Sequence, residues 1–307
     1  MTARIAVAVC TWNRAPSLRR ALESICIAIE ALGRPVQFIV VNNNCTDATD
    51  EVIAEIAARR PLTHLHEPRP GVAHARNAAI AAAQADYIVW TDDDVIVAPQ
   101  WLAGYAQAFD AHPRAVFFGG RIRPRFEPPP PAWLAASWPQ VGGIYAVRDL
   151  GEEALRITRE SQLPYGANFA LRLDLQRQLP YDVRLGRQPG DYWLAAEETQ
   201  ILGRLLAEGH EGWWVPEAAL LHCIPRERQT LAFIARHAFG VGQSKEISQP
   251  SPGRWRFLGR PVWMWREWLK SLGRVAPAAL SGRAERWVPV LYRAAEWSGR
   301  LARARRG

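Results

Sequence analysis

The first hundred residues divide into short apolar runs and longer segments whose apolar residues recur at helical spacing. The apolar runs predict buried strands, and the helical spacing predicts helices with one face toward a core. The predicted elements are, in order, strand 5–9, helix 15–32, strand 37–41, helix 47–60, strand 63–66, helix 72–83 and strand 87–90. Strands that alternate with helices in this way indicate an α/β fold with a mostly parallel central sheet and helices on both faces.

The later part of the chain has a less regular pattern. A helix opens near residue 99, a strand follows at 115–118, and a proline-rich stretch covers 123–139. Four consecutive prolines stiffen an extended chain, so we expect this stretch to be neither strand nor helix. The later predicted elements are strand 165–172, a helix from 195 to about 209, short strands at 212–215 and 219–222, and helix 230–240.

Residues 246–307 differ in composition from those before them, so we predict a domain of residues 1–245 and a separate C-terminal extension. From residue 251 onward there are 13 Lys and Arg against 3 Asp and Glu. Apolar residues, including six Trp, recur here at helical spacing, with arginines on another face. We therefore predict two amphipathic helices, separated by Gly273, Pro277 and Gly282.

A basic amphipathic helix with Trp on its apolar side is typical of proteins that lie on an anionic membrane surface. The alternative is that these helices pack on the first domain or on a second subunit, and the pattern alone leaves both open. Basic and aromatic residues can also contact RNA, but no RNA-binding motif is present, so we do not expect a nucleic-acid partner.

The overall composition suits a cytoplasmic globular protein. Of the 307 residues, 49% are apolar, and no early apolar run is long enough for a membrane span or a signal peptide. The four cysteines are scattered without CxxC spacing. This predicts free thiols in a reducing compartment rather than disulfides or a zinc site.

Polar side chains follow the predicted parallel strands directly. Asn13, Asn42, Asp47 and the run Asp92-Asp93-Asp94 all come just after strands, and the carboxyl ends of such strands meet at one edge of the sheet. Three adjacent carboxylates repel one another unless a cation lies among them. Taken alone, the run also fits a solvated acidic turn; the surrounding loops favour a metal and phosphate site.

Five short motifs occur in a fixed order at these loops. They are residues 10–14 (Cys-Thr-Trp-Asn-Arg), 41–47 (Val-Asn-Asn-Asn-Cys-Thr-Asp), 71–77 (Gly-Val-Ala-His-Ala-Arg-Asn), 92–94 (Asp-Asp-Asp) and 197–198 (Glu-Glu). In this order they resemble the motifs of the family 2 inverting glycosyltransferases, over roughly residues 4–245. The resemblance implies the GT-A fold, which is Rossmann-like, followed here by the C-terminal amphipathic helical extension.

The resemblance also implies roles for individual residues. Glu198 would be the catalytic base that takes a proton from the acceptor hydroxyl, and Glu197 would position the acceptor. A Mn²⁺ or Mg²⁺ ion would be held by Asp92, Asp94 and His222. The donor nucleotide would be bound by Thr11, Asn13, Arg14, Asn42, Asp47, Arg76 and Asp93, and the acceptor side would be formed by Gly166, Ala167 and Asn168.

Each of these assignments has a structural alternative. Two Glu in a first helical turn are favoured by the helix dipole alone, and His222 also fits an ordinary histidine at a strand end. Arg76 could pair with Asp47 or with the Asp run instead of the diphosphate. Residues 166–168 also fit a plain tight turn, and three adjacent aspartates allow the metal ligands to shift by one position.

Three positions depart from the family pattern. Cys10 stands where the family has Pro, Glu198 adds one methylene to the usual Asp, and Asn42 replaces an Asp that usually reads the base. An amide can still accept a hydrogen bond from a ring N–H, so uridine stays the favoured base, with guanosine and thymidine left open.

We therefore predict a metal-dependent inverting glycosyltransferase of polysaccharide biosynthesis. It would move one sugar from a nucleoside-diphosphate sugar, a UDP-sugar by preference, to a hydroxyl of a glycan or lipid-linked acceptor at the inner membrane face. The Gln-x-x-Arg-Trp signature of processive synthases is absent, which favours single transfers. The alternatives are a metal-dependent nucleotidyltransferase and a non-catalytic, membrane-docked scaffold of the same fold. The oligomeric state is left open.

Overall fold

We analysed a computed structural model of the chain, which describes residues 2–186 and 197–302. The chain forms two compact units. The first comprises Met1–Arg125, Ala146–Val183 and Glu197–Cys223; the second comprises Phe126–Tyr145, Arg184–Ala196 and Ile224–Gly307. The domain division predicted at residue 245 stays a prediction, because compactness alone does not define where a functional domain ends.

The elements follow the predicted order in the first unit. The strands are β1 (Ile5–Thr11), β2 (Val36–Asn42), β3 (Thr63–His66), β4 (Tyr87–Thr91), β5 (Val95–Val97), β6 (Phe117–Glu127), β7 (Leu155–Ile157), β8 (Asn168–Arg172), β9 (Gly212–Pro225), β10 (Arg256–Phe257) and β11 (Arg260–Pro261). The helices are α1 (Ala15–Leu32), α2 (Thr49–Ala57), α3 (Val72–Ala82), α4 (Trp101–Ala111), α5 (Ala132–Val141), α6 (Leu173–Gln178), α7 (Glu197–Ala207), α8 (Leu231–Ser248), α9 (Val262–Leu280) and α10 (Ala284–Leu301). Short 3₁₀ turns lie at Gly142–Tyr145, Glu160–Gln162 and Arg226–Arg228.

Among the described residues, β1 to β9 form one sheet in the order β3-β2-β1-β4-β8-β6-β9-β5, with β7 paired to β9. The first four strands in this order are parallel, and β8 then joins β4 antiparallel. The α/β fold with a mostly parallel central sheet is confirmed. The parallel part brings the ends of β1, β2 and β4 to one edge, with Thr11 opposite Asn42 and Val9 opposite Thr91.

The sequence of β1 explains why helices cover both faces of the sheet. Its alternate residues Ile5, Val7 and Val9 belong to one buried core with the apolar face of α1, and Ala6 and Ala8 belong to a second core with α3. All five are at most 2% exposed. A strand buried on both faces must be apolar at every position, which is why this run lacks the alternation of a half-exposed strand.

Three predictions about local structure were wrong. The proline-rich stretch is not uniformly extended, because β6 runs to Glu127 and α5 begins at Ala132. The last of its four consecutive prolines, Pro131, lies directly before α5, where a fixed φ and a missing N–H suit the start of a helix. Residues 212–225 form one strand rather than two. Its first part pairs with β7, its later part pairs with β5, and Pro216 lies between these two parts.

The third error concerns the break between the last two helices. Helix α9 continues through Gly273 and Pro277, and only residues 281–283 separate it from α10. Gly282, whose φ of 67° lies in the left-handed region, was rightly placed outside a helix. The predicted helix at 230–240 also extends to Ser248, and the predicted helix start at 195–196 lies outside the described residues.

Two glycines bring α10 close to α8 in the second unit. A Cβ atom on Gly299 would lie 1.9 Å from the carbonyl oxygen of Phe239, and one on Gly242 would lie 2.1 Å from that of Glu296. Both contacts are with backbone, which cannot move aside as a side chain can. The last helix therefore packs on protein, as the packing interpretation of the extension predicts, and it also contacts α9 and α5.

We expect Gly299→Ala to destabilise the protein by about 2–3 kcal/mol, because overpacking forces the two helix backbones apart. Gly273→Ala on α9 is the matched control. No heavy atom lies within 4 Å of a Cβ at Gly273, so Ala should stabilise this exposed helix site by about 0.5–1 kcal/mol. Chemical denaturation followed by circular dichroism measures both changes. Equal stability of the two variants would contradict the close α8–α10 packing.

Among the described residues, no helix is both long and apolar enough to cross a membrane.

Candidate active site

The run Asp92-Asp93-Asp94 follows β4 directly and meets side chains from the loop after β1. Thr11 Oγ1 donates a hydrogen bond to Asp93 Oδ2 (2.7 Å). Arg14 Nη1 lies 3.0 Å from Asp93 Oδ1 and 2.9 Å from Asp94 Oδ2, so one guanidinium joins both carboxylates. Burial raises the pKa of Asp93 and the neighbouring Asp94 adds to the effect, although Arg14 opposes it. The predicted residues Thr11, Arg14, Asp93 and Asp94 thus come together.

His222 approaches the same carboxylate from a different strand. It lies opposite Val95 in the β5–β9 pair, and its Nε2 is 3.3 Å from Asp94 Oδ1. Asp92 differs from its neighbours because its side chain is 39% exposed and lies 3.8 Å from Arg76. Within residues 2–186 and 197–302, no three His, Cys, Asp or Glu side chains form a ready metal-binding group. The predicted ligands Asp94 and His222 are therefore in contact, and Asp92 lies toward Arg76.

The loops after β1 and β2 hold each other in place. Asn13 adopts a φ of 52°, a left-handed conformation that Asn tolerates, and its Oδ1 accepts a hydrogen bond from the Thr46 amide (2.7 Å). Asp47 accepts from the Ala15 amide at the start of α1 (2.9 Å) and from the Thr49 hydroxyl (2.6 Å). Burial acts against the charged form, but these hydrogen bonds keep the pKa of Asp47 below its usual value.

Asn42 lies inside this loop structure. It is 1% exposed, its Nδ2 donates to Asp50 Oδ1 (2.6 Å), and its Oδ1 accepts from the Cys45 amide (2.7 Å). The Nδ2 and Oδ1 atoms of Asn42 are therefore both hydrogen-bonded within the loop and hold its conformation. Together with Asn13 and Asp47, it fixes the loop backbone beside the Asp run.

Asn43 is a structural residue that the motif alone did not single out. Its Nδ2 donates to the carbonyl oxygens of Glu67 and Arg69, and its Oδ1 accepts from the Gly71 amide (2.9 Å). These three bonds tie the loop after β2 to the start of α3. The signal for it in the sequence was its place at the centre of three consecutive Asn.

Arg76 of α3 meets the carboxylate pair that opens α7. Its Nη1 lies 3.0 Å from Glu197 Oε1 and 3.9 Å from Glu198 Oε2, and the side chain is 6% exposed. Burial disfavours the charged guanidinium, but Glu197, Glu198 and Asp92 together raise the pKa of Arg76 above its usual value. Arg76 is therefore a buried cation shared by three carboxylates.

Two aromatic rings support the guanidinium of Arg76. Its central carbon lies 5.8 Å from the ring centre of Trp90 and 5.2 Å from that of Tyr181, within the range of cation–π attraction. Asn77 fixes Tyr181 through two hydrogen bonds to its backbone, from Nδ2 to the carbonyl (3.0 Å) and from the amide to Oδ1 (2.9 Å). Tyr181 carried no signal in the sequence, because it lies 104 residues from Asn77 in a segment without a motif.

Glu198 has a carboxylate whose pKa is displaced toward neutral pH by its surroundings. Burial and the adjacent Glu197 raise the pKa of Glu198 to about 7, although Arg76 acts in the opposite direction. Its Oε1 accepts a hydrogen bond from the Gly166 amide (3.1 Å). A carboxylate that exchanges its proton near neutral pH is suited to act as a general base.

The predicted acceptor-side turn divides into an open and a buried part. A Cβ atom on Gly166 would lie 2.8 Å from Arg76 Nη2, so glycine allows the backbone to approach the site. Ala167 accepts a hydrogen bond from Thr91 Oγ1 through its carbonyl (2.9 Å). Asn168 is fully buried, and its side chain bonds to Trp101, Tyr105 and the carbonyls of Arg121 and Ala218. Gly166 therefore lies at the site, whereas Asn168 holds the sheet together.

The comparison that decides the family is a match to the model of "Glycosyl transferase family 2", which covers residues 6–171. The chain belongs to glycosyltransferase family 2. The matched residues contain β1, β2, β4 and the polar loops that follow them.

Two curated proteins are similar to this family 2 glycosyltransferase. The "Succinoglycan biosynthesis protein ExoM" of Rhizobium meliloti (strain 1021) is 23% identical over 247 residues, which are 79% of this chain and 74% of that protein. The "Glucosyl-dolichyl phosphate glucuronosyltransferase" of Haloferax volcanii is 22% identical over 249 residues, 80% of this chain and 77% of that protein.

Solved structures share its fold. The mannosyltransferase PcManGT from Pyrobaculum calidifontis, in complex with GDP-Man and Mn²⁺, has a TM-score of 0.65 at 18% identity and covers 98% of this chain and 88% of its own. Residues 1–349 of S. aureus TarS in complex with UDP have a TM-score of 0.55 at 15% identity, covering 99% of this chain and 93% of their own. The GT-A fold expected from the motifs is confirmed.

Proposed function

We propose that this glycosyltransferase inverts the configuration at the transferred sugar and uses Glu198 as its catalytic base. The observation that carries the proposal is the buried carboxylate of Glu198, whose pKa is raised to about 7 beside Arg76. Inversion needs a base on the face of the sugar opposite the leaving nucleotide. Glu198 supplies a carboxylate in the first turn of α7. The motifs proposed to bind the nucleotide lie on other loops of the same unit, after β1, β2 and β4.

In the proposed mechanism, Glu198 takes the proton of the acceptor hydroxyl as that oxygen forms a bond to the anomeric carbon of the donor sugar, and the bond from this carbon to the diphosphate oxygen breaks to release the nucleoside diphosphate. Its Oε1 is oriented by the Gly166 amide (3.1 Å), which leaves the carboxylate with a fixed direction. Glu197 bonds to Arg76 (3.0 Å) and so keeps this cation beside the base. The shared positive charge prevents the pKa of Glu198 from rising further, which keeps a deprotonated fraction available at neutral pH.

We further propose a Mn²⁺ or Mg²⁺ cofactor on the donor side. Asp94, His222 and Asp92 would hold it, and Asp93 would face the donor. Carboxylate oxygens suit such hard ions, and the Oδ1 of Asp94 and the Nε2 of His222 already lie 3.3 Å apart. When bound, the ion supplies positive charge to the departing diphosphate. A structural neighbour that binds Mn²⁺ together with GDP-Man supports this assignment.

The donor is proposed to be a nucleoside-diphosphate sugar, with UDP favoured as the carrier. One structural neighbour binds UDP and another binds GDP-Man, so both nucleotides belong in any donor screen. Thr11, Asn13, Arg14, Asn42, Asp47, Arg76 and Asp93 remain the proposed donor-side residues. Asn42 would act through the loop that it shapes, because its own amide is already bonded on both sides.

The acceptor is proposed to be a hydroxyl of a glycan or of a lipid-linked sugar. The two curated relatives are named for succinoglycan biosynthesis and for a glucosyl-dolichyl phosphate substrate, which supports this chemical class. A lipid-linked acceptor lies in a membrane, so we also propose that the enzyme works as a peripheral protein at the inner membrane face. Gly166 and Ala167 would line the acceptor side, and Asn168 would hold their strand.

Thermal-shift measurements with nucleoside diphosphates, each with and without Mn²⁺, test the donor side. We expect UDP to raise the melting temperature only when Mn²⁺ is present, because the ion would be held by Asp92, Asp94 and His222 and would supply positive charge to the diphosphate. Asp94→Asn should abolish this metal-dependent shift, whereas Asp110→Asn, at an exposed position on α4, should retain it. A shift with GDP instead of UDP would show that GDP, and not UDP, is the carrier of the donor sugar. If no nucleotide raised the melting temperature, the proposed use of nucleotide donors would be overturned.

A further inference from the structure

A small hairpin in the second unit carries an exposed apolar tip. Strands β10 and β11 pair antiparallel, with Phe257 opposite Arg260, and Leu258 and Gly259 form the turn. Both turn residues have positive φ, 50° for Leu258 and 80° for Gly259. Asn or Gly usually takes the first of these positions, because a larger side chain is strained there. Leu258 is nevertheless 65% exposed, so burial does not compensate for its unfavourable conformation.

Helix α9 carries a row of apolar side chains on its outer face. Met264 and Ser271 are buried and mark the face that packs on the protein. Val262, Leu269 and Leu280 are spaced by about two and three helical turns, on the opposite side of the helix. They are 49%, 61% and 88% exposed, and Leu272 beside them is 41% exposed. An aligned row of aliphatic residues is unusual on a free protein surface.

The hairpin and α9 are held together by aromatic contacts. Trp265 Nε1 donates a hydrogen bond to the carbonyl of Phe257 (3.0 Å), and the two rings pack edge to face at 5.6 Å. Trp268 extends the stack, with its ring centre 5.9 Å from that of Trp265. These contacts join the exposed tip and the aliphatic row into one continuous area. We call it the hairpin–α9 surface, defined by Trp255, Phe257, Leu258, Val262, Leu269, Leu272 and Leu280.

Basic side chains border this surface. Arg266, Lys270 and Arg274 follow one another at four-residue spacing, so they form a row along α9 next to the apolar row. Glu267 is the one acidic residue between positions 251 and 280, and it pairs with Arg266 and Lys270. Arg254 and Arg256 add two exposed positive charges near the hairpin. The apolar surface is therefore bordered by a net positive charge.

We propose that the hairpin–α9 surface docks this protein on an anionic lipid bilayer. The apolar tip and row would enter the boundary between headgroups and acyl chains, while the basic residues contact lipid phosphates. A second copy of the chain fits less well, because a symmetric contact would bring two positively charged rows together. The assignment deepens the peripheral location proposed for the enzyme, and it is independent of the sugar donor.

Vesicle flotation of the full chain tests this assignment without any activity measurement. We expect the protein to float with vesicles of phosphatidylcholine and phosphatidylglycerol, and to stay in solution with phosphatidylcholine alone. The triple variant Arg266→Gln, Lys270→Gln, Arg274→Gln should bind the anionic vesicles about 100-fold more weakly, since each basic residue contributes about 1 kcal/mol at such a surface. High salt should have a similar effect on the wild type.

A second triple variant removes the apolar contribution. Leu258→Asn, Leu269→Gln, Leu272→Gln should bind weakly to anionic vesicles while keeping the melting temperature of the wild type, because the replaced side chains are exposed. The matched control combines Ile27→Gln on α1 with Arg59→Gln after α2, which are exposed in the first unit, and it should float like the wild type.

Three outcomes would overturn the assignment. The first is no flotation with anionic vesicles. The second is equal flotation with both vesicle types, since the basic border would then have no role. The third is a wild-type dimer, seen by light scattering without lipid, that the apolar variant converts to a monomer. In that case the surface would be an interface between two copies. Nucleotide binding in thermal shift could persist in all three, so the two proposals fail separately.

Discussion

Glu198→Gln is expected to lower the rate of sugar transfer by about 10³-fold, because a general base contributes typically 10²–10⁴-fold. Glutamine keeps the size of the side chain and can still accept the Gly166 hydrogen bond, but it cannot take the acceptor proton. Donor binding should be unchanged, since the nucleotide-side residues are untouched. Transfer to a sugar acceptor measures the first effect, and thermal shift with nucleotide and Mn²⁺ measures the second.

Two variants make this experiment specific. Glu198→Asp keeps a carboxylate and should retain more activity than Glu198→Gln, whereas Glu208→Gln, beyond the end of α7 in an exposed ion pair with Arg204, should behave like the wild type. If Glu198→Gln kept full transfer activity, Glu198 could not be the base.

The raised pKa also predicts how this substitution affects stability. The folded-state pKa of Glu198 is about 7, above its usual value of 4.5, so ionisation of Glu198 lowers stability as the pH rises between these values. Glutamine carries no charge at any pH. At pH 8 the Gln variant should therefore melt at or above the wild-type temperature, and the advantage should shrink as the pH falls through this range.

Arg76→Met is expected to cost about 3–5 kcal/mol of folding stability, because it leaves the buried carboxylates of Glu197 and Glu198 without their cation. Arg76 opposes the rise in the pKa of Glu198, so its loss should move that pKa further above 7. Transfer activity, which needs the deprotonated base, should then reach its half-maximal value at a higher pH than in the wild type. Denaturation curves and the pH profile of transfer measure the two effects.

Controls separate this role from a general loss of packing. Arg172→Met removes an arginine from the exposed pair with Asp174 and should cost less than about 1 kcal/mol. Arg76→Met combined with Glu197→Gln removes one buried negative charge and should recover part of the lost stability. Should Arg76→Met fail to fold, Arg76→Lys retains the charge and allows the pH profile to be measured. An unchanged pH midpoint in folded Arg76→Met would exclude electrostatic control of Glu198 by Arg76, and so would a large upward shift of the midpoint in Arg76→Lys, which keeps the positive charge.

The two helices of the C-terminal extension have similar patterns in the sequence but different surroundings in the structure. The amphipathic pattern of α9 and α10 is similar in the sequence, but Gly299 allows α10 to pack closely on α8. Among residues 2–186 and 197–302, no such neighbour covers the outer row of α9, and Leu269 and Leu280 are exposed. Spacing therefore predicts that a helix has an apolar stripe, but it does not predict what covers that stripe.

Prolines account for most of the errors in predicted local structure. Pro216 and Pro277 lie inside a strand and a helix, where the local preference is against regular structure. In β9, separate partner strands on either side of Pro216 supply the ladder that the proline interrupts. Pairing between distant segments outweighed the local preference, and that pairing is not visible in a local pattern.

Local patterns in the amino-acid sequence predict the alternation of strands and helices and the family motifs. They also predict that Asn13, Asn42, Asp47 and the Asp run converge at one edge of the sheet. Local spacing suffices for these features, because strand ends in a parallel sheet meet at the same edge. The electrostatics of the site, in contrast, depend on the three-dimensional packing. Arg76 and Glu197 are 121 residues apart, and the pKa of Glu198 is raised by burial and by Glu197 while Arg76 opposes the rise. Burial and charge pairing depend on distances between remote segments, so the three-dimensional packing, and not the motif, makes this carboxylate suitable as a base at neutral pH.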